Sequence, residues 1–159
     1  MSKVIMTCGR LCSGKTTYAE MLRKQDNAVI LSLDELMLKM FPEGAGESHD
    51  QYVYRATDYL LKKASEIAAA GIEVILDWGF WTKSLRTHAR DFFKENGISC
   101  ELHYLIVDDE EWQRRIKRRN SLWKPDGSAG YYVDEGLIKK FSSVFEEPYP
   151  DEVDNRVHV

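Results

Sequence analysis

The sequence predicts an α/β fold: a three-layer arrangement in which helices cover a parallel sheet of five short strands. Three observations predict it. Short apolar runs alternate with amphipathic helical stretches along the whole chain. The first run opens directly into a glycine-rich turn, and the second and third close on aspartates, Asp34 and Asp77. A length of 159 residues fits one domain, spanning residues 1–159.

In chain order, the first strand is expected over Lys3 to Cys8, followed by the turn and a helix from about Lys15 to Lys24. The second runs from Ala28 to Ser32. An irregular segment, about Met37 to Asp50, is expected next, because Pro42, Gly44 and Gly46 crowd it. A long helix follows over roughly Gln51 to Ala70, where Val53, Ala56, Leu60, Ala64 and Ile67 recur at helical steps and Gly71 stops it. The third strand spans Glu73 to Leu76. After an aromatic loop, Trp78 to Trp81, comes a helix carrying Leu85, Ala89, Phe92 and Phe93. The fourth strand runs from Cys100 to Val107 and feeds a helix with Trp112 and Ile116. A loop over about Asn120 to Gly130 precedes a last helix with Leu137, Ile138, Phe141, Val144 and Phe145, ended by Pro148 and Pro150. Val153 to Val159 is expected as the fifth strand.

Composition narrows the function classes. Hydrophobic residues make up 43% and charged residues 30%, enough for a core and a solvated surface, and the formal charge is −4. A generic nucleic-acid binder carries a basic excess, so the global charge argues against one while leaving a local basic channel open. The apolar stretch after Met1-Ser2-Lys3 is too short for a membrane span or a signal core. Cys8, Cys12 and Cys100 have no metal-ligand spacing and suit a reducing compartment. The expectation is a cytoplasmic protein with no membrane partner.

Gly9-Arg10-Leu11-Cys12-Ser13-Gly14-Lys15-Thr16 fits GxxxxGK[ST] at every fixed position. Wrapping a β-phosphate requires inward-pointing backbone N–H groups, and side chains at the closest approaches would block it. Gly9 and Gly14 remove them. The following helix offers its unpaired N–H groups and positive dipole end to the anion. Lys15 is placed to reach the β- and γ-phosphates and Thr16 to ligate Mg²⁺. The implied ligands are ATP and Mg²⁺, held by Gly9, Cys12, Ser13, Gly14, Lys15, Thr16, Thr17 and Arg118.

In open α/β sheets, ligands bind beyond the carboxyl ends of the strands, where Asp34 and Asp77 stand. Phosphoryl transfer to a hydroxyl needs one carboxylate near the metal and one to accept a proton. Asp77 reads as the metal residue with Thr16, and Asp34 as the base that orients an acceptor; the two assignments remain exchangeable. The alternative is that each caps a helix. Arg114, Arg115, Lys117, Arg118 and Arg119 put five basic residues into six positions. That exceeds what helix capping needs and suits a lid, about residues 115–132, closing over a triphosphate.

With these features the chain resembles the small P-loop kinases of the polynucleotide-kinase, zeta-toxin and chloramphenicol-phosphotransferase group, an AAA-type ATP-binding family. The matching residues are Gly9–Thr16, Ser32-Leu33-Asp34, Val74–Asp77 with Arg86 nine residues on, Arg115 and Arg119-Asn120, Gly130–Val133, and Phe145–Pro148 through Glu152. The resemblance implies a P-loop kinase fold with sheet order 2-3-1-4-5. It also implies Asp34 as general base, Lys15, Arg115 and Arg119 as catalytic groups, and Arg86 near the acceptor. In such relatives a loop beyond the fifth strand walls the adenine. This sequence stops at Val159, so base selectivity stays open.

An acceptor-side segment is expected over about residues 36–58, with Met37, Met40, Phe41, Tyr52, Tyr54 and Arg55, faced by Trp78, Phe80 and Trp81. The candidate acceptor contacts are Asp34, Arg55, Trp78 and Arg86, against the alternatives that the aromatics simply pack and that Arg86 makes a surface ion pair. His49, His88, His103 and His158 lack any spacing for a metal or triad. The leading expectation is an ATP-dependent kinase for a small hydroxyl-bearing molecule. A kinase for a 5′-hydroxyl nucleic-acid end, and a nucleotide-gated switch, are the competing ones.

Overall fold

The structure, a computed structural model, describes residues 2–126, 128 and 130–159. Five parallel strands form one sheet: β1 (Lys3–Cys8), β2 (Val29–Leu31), β3 (Val74–Leu76), β4 (Ser99–Ile106) and β5 (Asn155–His158), in the order β2-β3-β1-β4-β5. That is the α/β order 2-3-1-4-5 implied above. Six α-helices accompany the strands among the described residues: α1 (Lys15–Asp26), α2 (Leu33–Met40), α3 (His49–Ala69), α4 (Lys83–Glu95), α5 (Asp109–Ser121) and α6 (Glu135–Val144).

β1 lies in the middle, so both its faces must be apolar, and its alternation divides the core. Val4, Met6 and Cys8 pack with Leu60, Leu61 and Ala64 of α3 and Ala89 and Phe93 of α4. Ile5 points the other way, onto Ala19 and Leu22 of α1. Each fully buried aliphatic side chain of this kind contributes about 1.5–3 kcal/mol. A third cluster, with Leu11, Trp112, Ile116 and Phe141, joins α5 and α6 to the turn after β1.

The segment from Met37 to Asp50 departs from expectation. It is not irregular throughout: α2 occupies Leu33–Met40, a short 3₁₀ turn covers Gly46–Ser48, and α3 starts at His49. Ser32 is the reason. Its side chain accepts from the Glu35 backbone N–H, and Asp34 and Glu35 favour the positive end of the helix dipole. The cap is therefore Ser32 and not Asp34. Asp77 is not a cap either, because α4 begins at Lys83 and is capped by Thr82.

Arg86 is corrected as well. It is neither a surface pair nor an acceptor contact. Its guanidinium is 1% exposed and bonds Glu152 at 2.9 Å, with further donation to the Phe80 and Glu146 carbonyls. A buried cation is tolerable only when its donors are met, and here the loop after β3 and the connection from α6 to β5 meet them. Together with the Glu146 N–H donated to the Trp81 carbonyl, this clasp fixes the loop after β3 against the chain leading into β5.

Because removing one partner of a buried pair strands the other charge, Arg86→Met is expected to cost about 3–5 kcal/mol. Urea denaturation checks this. A loss below about 1 kcal/mol would mean that the clasp behaves as an ordinary surface pair.

Candidate nucleotide and acceptor cleft

Main-chain geometry builds the phosphate cradle. Gly14, the residue before α1, has φ +92°, a left-handed value that glycine adopts freely. At Gly9 the constraint is space, since a Cβ would stand 2.8 Å from Ser13 Oγ and 3.1 Å from the Leu105 carbonyl. Cys12 takes a positive φ of 59° within the loop. The turn is held from outside by Trp112 Nε1, which donates to the Leu11 carbonyl at 2.7 Å. Arg115 also holds it, donating to the Ser13 carbonyl at 2.8 Å.

Lys15 Nζ donates to the carbonyls of Gly9 and Arg10, at 3.1 and 2.6 Å. Burial pulls its pKa below the usual lysine value, with Asp34 and then Asp77 opposing that pull. The Thr16 hydroxyl donates to Asp77 Oδ2 at 2.8 Å. Asp77 is 7% exposed, and burial lifts its carboxyl above the ordinary range, against the Thr16 hydrogen bond and the charge of Lys15. Its position just past β3 is fixed by the neighbouring strand β2, since its N–H donates to the Leu31 carbonyl. Next to it, Thr7 donates to the carbonyls of Leu76 and Trp78.

This donor set fits Mg²⁺. The ion keeps several waters and takes few protein ligands beside phosphate oxygens, and a hydroxyl with one carboxylate at the mouth of a phosphate cradle matches that habit. Among the described residues no cluster of three or more His, Cys, Asp or Glu forms an all-protein cage. Buried polar atoms without partners among the described residues include Ser13 Oγ and Arg119 Nε, both beside the cradle.

An open cleft of about 1620 Å³ runs along the carboxyl ends of the strands, larger than the roughly 300–1,000 Å³ of a single small-ligand pocket. It has room for two ligands. Its lining takes in the cradle, Thr17, Tyr18, Met21, α2, the start of α3, the loop after β3, α5, Lys140 and Val144 of α6, and the end of β5 at Val157 and Val159.

The expected residues sort clearly. Cys12, Ser13, Gly14, Lys15, Thr16, Thr17, Arg115, Arg118 and Arg119 line the cleft, and so do Asp34, Asp77 and Trp78. Arg119 lies 4.5 Å over the Tyr131 ring and donates to Cys12 Sγ at 3.6 Å. Burial raises the Tyr131 hydroxyl to about 12. Of the lid segment 115–132, residues 127 and 129 lie outside the described residues. Trp78 is almost wholly buried, its ring stacked on Phe80 and its N–H given to the Leu31 carbonyl, so it is more floor than contact.

Arg55 does not reach the cleft. It is exposed on α3 and absent from the lining, as are Arg86 and Lys117. The helical turn explains it: Val53 faces inward, and Arg55, two residues on, faces away. Sequence reasoning missed His49, Asp50, Tyr131 and Lys140 as lining residues. Only the start of α3 at His49 could have signalled the first two.

The profile of an AAA domain family (AAA_33) matches residues 4–148. Among curated proteins none matches the chain in sequence. In fold it is similar to the Mycobacterium tuberculosis APS kinase solved with AMPPNP and APS, at 17% identity and TM-score 0.70, covering 99% of this chain and 88% of that one. It is also similar to Chaetomium thermophilum Kti12 solved with ADP-AlF3, at 16% identity and TM-score 0.72, covering 98% and 88%. A gluconokinase from Sinorhizobium meliloti 1021 aligns at 15% identity and TM-score 0.63, covering 99% and 81%. No helix among the described residues is long and apolar enough to cross a membrane. With a match that runs from β1 past α6, the chain belongs to this AAA domain family and carries the fold of the small P-loop kinases.

Proposed function

We propose that the protein is an ATP- and Mg²⁺-dependent phosphotransferase that moves the γ-phosphate to a hydroxyl of a small-molecule acceptor. One observation carries this reading: Asp34, in the first turn of α2, puts an exposed carboxylate into the cleft, close enough to Lys15 to perturb it. Its carboxylate forms no hydrogen bond or ion pair among the described residues, which leaves it free to take a proton. Similarity to an APS kinase and a gluconokinase supports a small acceptor.

In this reading the cradle amides and Lys15 hold the β- and γ-phosphates, and Thr16 and Asp77 hold the metal. Bound between them, Mg²⁺ would supply neutralisation of the phosphate charge. Arg115, Arg118 and Arg119 offer guanidinium groups to the transferring phosphoryl group. Asp34 accepts the acceptor's hydroxyl proton as its oxygen forms a bond to the γ-phosphorus; the bond to the β,γ-bridging oxygen breaks, and ADP leaves. A 5′-hydroxyl nucleic-acid end is the less favoured acceptor. Among the described residues the arginines lining the cleft all stand on one helix, α5, and do not form the extended basic track that a phosphate backbone needs.

Asp34→Asn is expected to lower transfer by about 10²–10⁴-fold while leaving nucleotide affinity near wild type. Lys15→Met is expected to weaken both. Mass detection of phosphorylated product across a panel of hydroxyl compounds, with calorimetric titration of ATP, separates the two. Transfer by Asp34→Asn at the wild-type rate would remove this residue as base and favour a nucleotide-gated switch.

Asp77 gives a linked test. A carboxyl whose folded pKa lies above its unfolded one favours folding below the unfolded value, and loses that contribution as pH rises through the folded one. At neutral pH the free protein therefore carries a penalty for charged, buried Asp77. Asp77→Asn is expected to raise urea resistance at pH 7, with the gain shrinking as pH falls through the carboxylate range. The same change should remove most of the melting-point rise given by Mg²⁺ with AMPPNP. An equal rise in both proteins would move the metal site elsewhere.

A further inference from the structure

Arg119 faces the cradle with few partners of its own. Its Nη1 donates to Cys12 Sγ at 3.6 Å, a weak acceptor, and among the described residues no other hydrogen bond holds it. Its Nε is buried without a partner among those residues. Arg115, one turn earlier, is already divided between Glu111 and the Ser13 carbonyl.

Shape holds the Arg119 side chain instead. The chain that leaves α5 returns at residues 130–133, where Asn120 pairs with both backbone groups of Val133. Its side chain donates to the Val133 carbonyl at 2.7 Å and accepts from the Val133 N–H at 2.9 Å. The Tyr131 ring then lies under the guanidinium, with 4.5 Å from the guanidinium carbon to the ring centroid. At that distance a cation is attracted to an aromatic face. Gly130 leaves the space: its φ is +84°, and a Cβ there would stand 2.9 Å from Arg119 Nη2. Tyr131 and Arg119 both line the cleft. Burial raises the Tyr131 hydroxyl most, the charge of Asp34 raises it further, and that of Arg119 lowers it. The ring is thus in electrostatic reach of the proposed base as well as of the arginine.

We infer that Tyr131 is a positioning residue: its ring holds the Arg119 guanidinium against the cradle, where that group meets the terminal phosphate of the bound nucleotide. The inference rests on the phosphotransferase reading above and adds to that site a residue beyond the P-loop and the arginines. An aromatic face suits the task. It orients a guanidinium without occupying its N–H donors, whereas a carboxylate partner takes donors and offsets the charge that a phosphate needs. Glu111 takes one donor of Arg115 in that way.

The test reads the ratio of the ADP to the AMPPNP dissociation constant, by calorimetry with Mg²⁺, because a loss of overall stability weakens both nucleotides alike. Arg119→Gln and Tyr131→Leu are each expected to lower this ratio by about 10-fold or more. The double variant should go no lower than Arg119→Gln alone. Tyr131→Phe keeps the ring and is expected to restore the ratio to within about twofold of wild type. Tyr132→Leu, at an exposed neighbour outside the lining, is the control and should keep the wild-type ratio. Should Tyr131→Leu fail to fold, Gly130→Ala takes its place, since it crowds Nη2 with the ring intact, and the same fall is expected. An unchanged ratio in Arg119→Gln, Tyr131→Leu or its Gly130→Ala substitute would overturn the inference and leave the phosphotransferase reading standing. So would additive losses in the double variant, or a Tyr131→Phe ratio as low as that of Tyr131→Leu. Failure of the wild-type protein to bind either nucleotide would instead defeat that reading itself.

Discussion

The pairing of β1 with β3 is the constraint on which the site depends. In register Met6 faces Leu76, so the cradle that follows Cys8 and the carboxylate that follows Leu76 emerge side by side from the same edge of the sheet. Thr7 locks that register with one hydroxyl bonded to the carbonyls of Leu76, at the end of β3, and of Trp78 just past it, and Gly9 donates its N–H to the Gly79 carbonyl one step beyond. A slip by one residue would turn Asp77 to the opposite face of the strand. The Thr16–Asp77 hydrogen bond would be lost, and with it the pairing of hydroxyl and carboxylate that suits a metal. The sheet matters to function as a ruler.

The same placement is electrostatically uncomfortable. Asp77 is buried and Lys15 is withdrawn from water, and burial moves each pKa toward the neutral form. Ser13 Oγ and Arg119 Nε are buried without partners among the described residues. A fold selected for stability alone would remove these groups; the apolar clusters on both faces of β1 offset them instead. Features that local rules disfavour gather at one edge of the sheet and nowhere else as densely, which is the usual mark of a ligand site.

Much of this was legible in the sequence, for an identifiable reason. Strand and cradle signals are local: a buried run is continuous in residues, and the glycines at 9 and 14 answer steric demands of the adjacent backbone. The segment between β2 and β3 was harder to read because its signals compete. Pro42, Gly44 and Gly46 suggested an irregular stretch and hid the cap at Ser32 and the apolar step from Leu33 to Leu36 and Met37 that makes α2. Arg86 misled for another reason. A lone arginine on an amphipathic helix looks solvated, and its partners, Phe80, Glu146 and Glu152, are as far as 66 residues away. Arg55 and Asp50 show the same limit from the other side. Asp50 lines the cleft and Arg55 does not, a choice set by which face α3 packs inward and not by residue type.

The cations of the cradle are paired with its own backbone. Lys15 spends its donors on the Gly9 and Arg10 carbonyls, and Arg115 spends one on Ser13. These are charge-assisted bonds to neutral acceptors, weaker than the same donors would make to phosphate oxygens. A polyphosphate therefore does not have to create binding groups; it exchanges partners with groups already anchored, and loses little to ordering them. The anchors limit how far α5 moves in that exchange. Trp112 is tied to Leu11, and Asn120 holds Val133 by two hydrogen bonds at 2.7 and 2.9 Å. Arginines at 115 and 119 thus ride on a helix fixed near both ends, so partner exchange at the phosphate proceeds by side-chain rotation on a stationary frame.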